Sequence, residues 1–127
     1  MDIKRDRLEW EKPIDGYDYT IDSGKDRPGG RAQLIYKTPV QTLPEVRYFL
    51  FDRGLRPEDK IAHLNEFYPN GPRPEAFEHM RQGVGGEVLE HLEAEALSEG
   101  AKAMYVYSQN LEMRGFLRKN GFEGNLG

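Results

Sequence analysis

One continuous segment, from Lys60 to Gln109, constrains the fold of this chain more than any other. It begins with an apolar stretch, passes through a glycine-rich stretch into a strongly amphipathic one, and ends in a second apolar stretch. The amphipathic part, GEVLEHLEAEALSE, predicts a helix whose glutamates face away from one apolar side. Gly100 is a natural C-terminal stop for this helix, and AKAMYVYSQ predicts a short strand after it. The apolar side of the helix consists of Val88, Leu89, Leu92 and Ala96.

Four further strands are predicted before this helix. YDYTID (Tyr17–Asp22) and RAQLIYKT (Arg31–Thr38) are separated by a turn-forming stretch, so they predict a hairpin. EVRYFLFDRG (Glu45–Gly54) is apolar on both faces at its centre, which predicts a buried third strand. KIAHLNEFYP (Lys60–Pro69) predicts the fourth strand. A helix is the alternative there, because its apolar residues also fit a period near 3.6.

This order of elements, with a final helix beginning near Asn110, predicts a single α+β domain over residues 1–127. Residues 1–13 are charged and are interpreted as an N-terminal tail or a short docking segment. With 18 basic and 22 acidic residues and no cysteine, we expect neither a nucleic-acid-binding surface nor a thiolate metal site. No apolar run approaches the roughly 20 residues that cross a bilayer. We therefore expect a cytoplasmic protein without a membrane partner.

The glycine-rich stretch lies directly before the predicted helix, with Gly83, Gly85 and Gly86 close together. Glycine permits tight turns and lets another group approach the main chain. The first turn of a helix also has unpaired N–H groups and a partial positive charge. These features predict an anion site, most naturally for a phosphate. The alternative is a glycine-rich helix start without a ligand, because short glycine motifs are weak signals.

Two known phosphate-binding motifs do not fit this stretch. The dinucleotide motif G-x-G-x-x-G needs a third glycine where Val88 stands. The Walker loop needs a Gly-Lys-Ser/Thr sequence that this chain lacks. The interpretation therefore depends on the residues around the stretch.

Two blocks of residues flank the predicted fifth strand. The first is Met80-Arg81-Gln82-Gly83-Val84-Gly85, and the second, from Asn110 to Phe122, is NLEMRGFLRKNGF. In order, in spacing and in the strand between them, these blocks resemble the GNAT N-acetyltransferase superfamily. The patterns of that family are Q/R-x-x-G-x-G/A and N-x-x-A-x-x-L-Y-x-K-x-G-F, so the first block departs at Met80. The second block is in register at Asn110, Lys119, Gly121 and Phe122.

The resemblance implies a mixed, mostly antiparallel sheet with two principal helices, and acetyl-CoA as co-substrate. The CoA pyrophosphate would bind backbone N–H groups at the start of the helix, with Arg81 adding positive charge. The pantetheine arm would lie between the fourth and fifth strands, which splay apart in the family, and Asn110 would reach it. The backbone N–H groups are those of Gln82, Gly83, Val84, Gly85 and Gly86.

The resemblance also implies an N-acetyltransferase reaction, in which an amine attacks the thioester directly. A backbone N–H near Phe67 would bind the thioester oxygen. Glu66 and His63 are the candidate bases. On a strand they point to opposite faces, so at most one should line the cleft. The tyrosine acid of the family corresponds to Leu117, which cannot donate a proton. A non-catalytic CoA-binding or protein-interaction module with a GNAT-like fold is the alternative.

The implied partners are a CoA thioester and an amine acceptor that the sequence does not identify. The family normally has two strands after its last helix, and EGNLG is too short for them. The strand AMYVY would then have an open edge, which favours a homodimer through that edge, or cover by MDIKRDRLEW. Glu87 and His91 stand at i, i+4 without a third ligand, so we interpret them as solvated and expect no metal site.

Overall fold

The computed structural model describes residues 2–8, 15–22, 29–68 and 84–106. All five strands in these residues join one sheet, with the order β1-β2-β3-β4-β5. Neighbouring strands are antiparallel except β4 and β5, which are parallel. The fold is therefore α+β with a mostly antiparallel mixed sheet, as the sequence predicts. The elements are β1 (Asp2–Arg7), β2 (Gly16–Asp22), β3 (Gly30–Lys37), a 3-10 turn (Pro39–Gln41), α1 (Pro44–Asp52), β4 (Ile61–Tyr68), α2 (Val84–Ser98) and β5 (Met104–Tyr105).

The hairpin, the fourth strand and the long helix are confirmed. β2 and β3 pair antiparallel with Tyr19 opposite Ala32, and both side chains are buried. The predicted fourth strand forms β4, so the helical alternative for that stretch is wrong. The predicted fifth strand is described as far as Val106, and it contains β5. The final helix predicted after Asn110 lies outside the described residues.

The predicted third strand is wrong, because the stretch Glu45–Gly54 is helical. α1 begins at Pro44, whose restricted φ suits the first helical position, and it is followed by Gly54 with a φ of +86°. A short run of consecutive apolar residues fits a buried strand and a helix equally well, which explains the error. Leu50 is buried while Tyr48 is 69% exposed, so the run has one buried and one solvent-facing side.

The N-terminal segment docks on the sheet as an edge strand. β1 pairs antiparallel with β2, so that Asp2 lies opposite Asp22 and Arg7 opposite Tyr17. This agrees with the docking alternative for residues 2–7, and residues 9–13 lie outside the description. β1 is at the opposite edge from β5, so it does not cover β5 as the sequence suggested. Charged side chains along such an edge discourage pairing with another chain.

α2 packs on one face of the sheet and forms the core with it. All four predicted apolar residues of this helix are buried there, which confirms the predicted stripe. Burying a Val or Leu side chain stabilises a fold by about 1.5–3 kcal/mol, so this contact holds α2 in place. The buried cluster is Tyr19, Ile21, Ala32, Leu34, Tyr36, Ala62, Leu64, Phe67, Val88, Leu89, Leu92, Ala96 and Ala101.

The end of α2 confirms the predicted stop. Gly100 has a φ of +85°, a conformation that suits glycine. Its N–H donates to the Leu97 carbonyl, and the Ala101 N–H donates to the Ala96 carbonyl. These bonds satisfy carbonyls at the end of the helix and direct the chain into β5. Neither α-helix of the described ranges has the length and apolarity needed to cross a membrane.

Candidate functional site

The candidate site lies around β4, α2 and β5, which form a parallel strand–helix–strand unit. The pairing of β4 with β5 involves Ala62 opposite Met104 and His63 opposite Tyr105. It is supported by a 2.9 Å hydrogen bond from the Ala62 N–H to the Ala103 carbonyl. β4 itself continues to Tyr68. The predicted separation of the two strands would follow Val106, outside the described residues.

β4 contains a β-bulge at Asn65. Gln33 of β3 lies opposite Glu66, but the next residue, Leu34, lies opposite Leu64, so Asn65 is the extra residue. The core residues of β4 are consequently Ala62, Leu64 and Phe67, whose spacing changes from two to three across the bulge. A bulge of this kind bends its strand, increases the local twist and disrupts the regular ladder.

The bulge places His63 and Glu66 on the same face of the sheet, opposite α2. His63 contacts Lys37, and Glu66 lies beside Arg31. Arg31 and Lys37 occupy alternate positions of β3, which share one face. The sequence predicted opposite faces for the two candidate bases. That expectation assumed a regular strand and is wrong because Asn65 shifts the alternation by one residue.

A polar network surrounds Glu66 on this face. The Gln33 amide donates to Asp18 Oδ1 at 3.0 Å and accepts from Asn65 Nδ2 at 2.6 Å. Arg31 lies between two carboxylates, with distances of 3.8 Å to Asp18 and 3.3 Å to Glu66. Gln33 is only 4% exposed, and buried amides are costly unless they are hydrogen-bonded. The network therefore holds these side chains in defined positions.

Glu66 has an unusual environment for a surface carboxylate. Its side chain is 35% exposed, yet Oε2 is buried without a hydrogen-bond partner among the described residues. The Arg31 Nε lies 3.3 Å away and forms an ion pair without the alignment of a hydrogen bond. Glu66 Oε2 is thus an acceptor with remaining hydrogen-bonding capacity.

His63 lies between side chains from both neighbouring strands. Its ring stacks on Tyr105 of β5, with centroids 4.4 Å apart and an interplanar angle of 8°. Lys37 Nζ of β3 lies 3.3 Å from His63 Nδ1. Burial, and secondarily the charge of Lys37, lower the pKa of His63 to about 4. The imidazole is therefore neutral at pH 7.

The Phe67 side chain packs in the hydrophobic core. The ring is 5% exposed and belongs to the cluster packed against α2. The role of a backbone N–H near Phe67 stays a prediction from the sequence.

The first turn of α2 contains the predicted glycines that are described. α2 begins at Val84 and continues through Gly85 and Gly86. Glu87 is exposed in the same turn. Its negative charge stabilises a helix N-terminus but competes with any anion for it. Arg81, Gln82, Gly83 and Asn110 lie outside the described residues, as do Met80 and Leu117.

In the described ranges, no group of three or more His, Asp or Glu side chains could hold a metal ion. His91 instead lies 3.8 Å from Glu95 within α2. An open groove of about 420 Å³ lies over β1, β2 and the start of β3. Asp6, Asp18 and Arg31 line it, so Arg31 connects the groove with Glu66.

The sequence identified Glu66 and His63 but missed the side chains around them. Lys37, Arg31 and Gln33 come from β3, which is about 30 residues earlier in the chain. Gln33 was the available signal, because it is a polar residue at the centre of the apolar strand RAQLIYKT. Such a residue must have polar partners when it is buried.

Together these elements define an α+β domain with a five-stranded, mostly antiparallel sheet and a parallel β4–α2–β5 unit. A scan against protein-family models finds no match to this chain, and searches of curated proteins and of solved structures find none either. Membership of the GNAT superfamily stays a prediction from the two sequence blocks.

Proposed function

We propose that this protein is an acetyl-CoA-dependent N-acetyltransferase that transfers the acetyl group to an amine. The observation that carries the proposal is the β4–α2–β5 unit, whose helix begins at Val84-Gly85-Gly86 and whose strands are parallel. In the GNAT family, which the sequence resembles, the corresponding unit binds CoA. We also propose that the fold is that of the GNAT family and that its fourth and fifth strands splay apart, as they do in that family.

The CoA pyrophosphate would bind at the start of α2. Backbone N–H groups of residues 82–86 would donate to it, and Arg81 would add positive charge. Gly85 and Gly86 support this role because they have no side chains to keep the phosphates from the main chain. Asn110 would contact the pantetheine arm.

The pantetheine arm would lie along β4, beyond its pairing with β5. The bulge at Asn65 supports this placement, because a bulge twists its strand and interrupts regular pairing. A backbone N–H close to Phe67 would then donate to the thioester oxygen and stabilise the charge that develops there.

The reaction would be a direct attack of the amine nitrogen on the thioester carbonyl carbon. The new C–N bond forms, the C–S bond breaks, and CoA leaves with the electron pair as a thiolate. Glu66 is the better candidate to accept the proton from the ammonium, because its side chain is 35% exposed and a carboxylate oxygen is a proton acceptor. His63 is less suited to that role because Lys37 Nζ already lies 3.3 Å from its Nδ1 atom.

Calorimetric titration with acetyl-CoA and CoA tests the binding site. Gly85→Asp should greatly weaken binding, because it places a side chain and a negative charge at the phosphate position. Leu97→Asp is the matched control, since Leu97 is 74% exposed near the other end of α2. Failure of the wild type to bind either compound, or equal binding by wild type and Gly85→Asp, would contradict the proposal.

Measurement of thiol release with a panel of amines tests the reaction. We expect turnover by the wild type and a large loss in Glu66→Gln, which keeps the size of the side chain but cannot accept the proton. CoA binding should be similar in both proteins. Full turnover in Glu66→Gln would exclude Glu66 as the base.

A non-catalytic CoA-binding or protein-interaction module is the second candidate. This candidate is favoured because both candidate bases already have partners within the protein. Glu66 forms an ion pair with Arg31, and His63 accepts a hydrogen bond from Lys37. The combination of tight CoA binding with no thiol release for any amine would support this candidate over the enzyme.

A further inference from the structure

The contact between Lys37 and His63 determines where the imidazole carries its proton. Lys37 Nζ lies 3.3 Å from His63 Nδ1. A lysine ammonium has three donors and no acceptor, so Nδ1 must be the acceptor in this contact. A neutral imidazole with an accepting Nδ1 carries its hydrogen on Nε2.

The ring is neutral under ordinary conditions. It is half-buried, and burial together with Lys37 lowers the pKa of His63 to about 4. The two ring nitrogens are therefore different at neutral pH, one an acceptor and the other a donor. The neutral ring carries one hydrogen, and the contact of Lys37 with Nδ1 places that hydrogen on Nε2.

Tyr105 restricts the orientation of the same ring. It lies directly opposite His63 in the parallel pair of β4 and β5. The planes of the two rings are nearly parallel, with an angle of 8° between them. A stacked partner at 4.4 Å opposes rotation of the imidazole out of its plane. β3 thus fixes the proton position through Lys37, and β5 fixes the ring plane through Tyr105.

We propose that Lys37 and Tyr105 are positioning residues that hold His63 in the Nε2–H tautomer, so that its Nε2 atom is a hydrogen-bond donor. Within the proposed acetyltransferase, His63 then donates to an oxygen of the substrate or co-substrate, and Glu66 accepts the proton. That assignment of roles rests on the proposed function. The tautomer itself rests on the contact of Lys37 with the neutral ring, and the ring plane rests on the stacking with Tyr105, independently of the proposed function.

Nitrogen NMR of the imidazole rings at neutral pH tests the tautomer directly. The chain has three histidines, and His63→Gln identifies the signals of His63 by their loss. We expect Nδ1 of His63 to be unprotonated and Nε2 to be protonated. A predominantly Nδ1-protonated ring in the wild type would overturn the proposal without any variant.

Lys37→Met and Lys37→Arg separate the donor from a general structural effect. Lys37→Met keeps the aliphatic part but removes the donor, so the two tautomers should become mixed. Lys37→Arg retains a donor and should restore the Nε2–H form. An unchanged tautomer in Lys37→Met would show that Lys37 does not position the ring. His91 lies on α2 and provides an internal reference that none of these variants should alter.

Tyr105→Leu and Tyr105→Phe test the stacking contribution. Tyr105→Phe keeps the aromatic face and should leave the ring signals of His63 sharp, whereas Tyr105→Leu should broaden them through ring motion. Equal behaviour of the two variants would remove Tyr105 from the proposal. The Nε2–H tautomer in a protein that binds no acetyl-CoA would uphold this inference and reject the proposed function.

Discussion

Arg5 of β1 donates a hydrogen bond from its guanidinium to the Glu95 carboxylate of α2 at a distance of 2.9 Å. The same guanidinium lies 4.4 Å from the centre of the Tyr17 ring, and the Tyr19 hydroxyl donates to the same carboxylate at 3.3 Å. Arg5 therefore joins the edge strand to the helix that covers the sheet. These contacts explain why a strongly charged segment is ordered as a strand.

Replacing Arg5 by Gln should lower the urea midpoint and accelerate amide exchange in β1, because both the ion pair with Glu95 and the contact with Tyr17 are lost. Lys4→Gln is the matched control. It removes the same charge from the adjacent position of β1, which points to the opposite face. Equal effects of the two variants would show that net charge, rather than the Arg5 contacts, stabilises β1.

Replacing Gln33 by Met should destabilise the protein by about 1–3 kcal/mol, because the buried Gln33 amide makes two hydrogen bonds, to the partly buried Asp18 and from the exposed Asn65, each contributing about 0.5–1.5 kcal/mol. Urea denaturation measures this difference. Asp18→Asn keeps an acceptor for the Gln33 amide and should cost less. A Gln33→Met protein as stable as the wild type would mean that the network is not required for the fold.

His63 should make stability depend on pH between about 6.5 and 4. Its pKa is near 6.5 in the unfolded chain and about 4 in the folded protein, so in this range the unfolded state binds the proton more readily. Stability contributed by the neutral ring is complete above pH 6.5 and is lost as the pH falls. The shift corresponds to an upper limit of about 3 kcal/mol, which partial solvent exposure reduces to about 1–2 kcal/mol.

Denaturation of wild type and His63→Gln across this pH range measures the contribution of His63. The variant should have a flatter stability profile between pH 6.5 and 4. Acidic groups produce the remaining slope in both proteins, so the difference between the profiles is the relevant quantity. Parallel profiles would show that the imidazole is not held in its neutral form.

Replacing Glu87 by Gln should increase the affinity for CoA roughly two- to five-fold, because a charge in the first turn of a helix interacts with its N-terminus by about 0.3–1 kcal/mol. Glu90→Gln is the matched control, since Glu90 is also exposed on α2 but lies beyond the first turn. Calorimetry compares the two. An affinity gain that is equal in both variants would indicate general electrostatics rather than a pyrophosphate at the helix start.

The parts of the fold that the sequence predicted have a clear residue pattern. The helical spacing of Val88, Leu89 and Leu92 predicted α2. The alternation of apolar and polar residues around Tyr19 predicted β2. α1 could not be assigned correctly because Tyr48–Phe51 is a continuous apolar run without a distinguishing period. β1 was not assigned as a strand because its partners, such as Glu95 for Arg5, are distant in the chain.

The candidate site shows the same limit. Glu66 and His63 were identified because they are titratable residues on a predicted strand. Their common face was not predictable, because it results from how β4 pairs with β3 around Asn65. Lys37 and Gln33 acquire their importance only through that pairing. A helical period competed with a strand for this stretch because Ile61, Leu64 and Tyr68 fit a period near 3.6.

The bulge at Asn65 also determines which change in length β4 tolerates. Ala62, Leu64 and Phe67 all face the core, but Ala62 and Leu64 are two residues apart whereas Leu64 and Phe67 are three apart. The extra residue, Asn65, therefore shifts the alternation of faces between the two halves of the strand. If β4 paired with β3 as a regular strand of the same length, Phe67 would leave the core and Glu66 would turn away from the face of His63. Deleting Asn65 would instead restore regular pairing and leave Phe67 and Glu66 on their present faces. Deleting a core residue such as Ala62 would turn part of the strand to the opposite face, so the pattern of faces tolerates the loss of Asn65 but not that of Ala62.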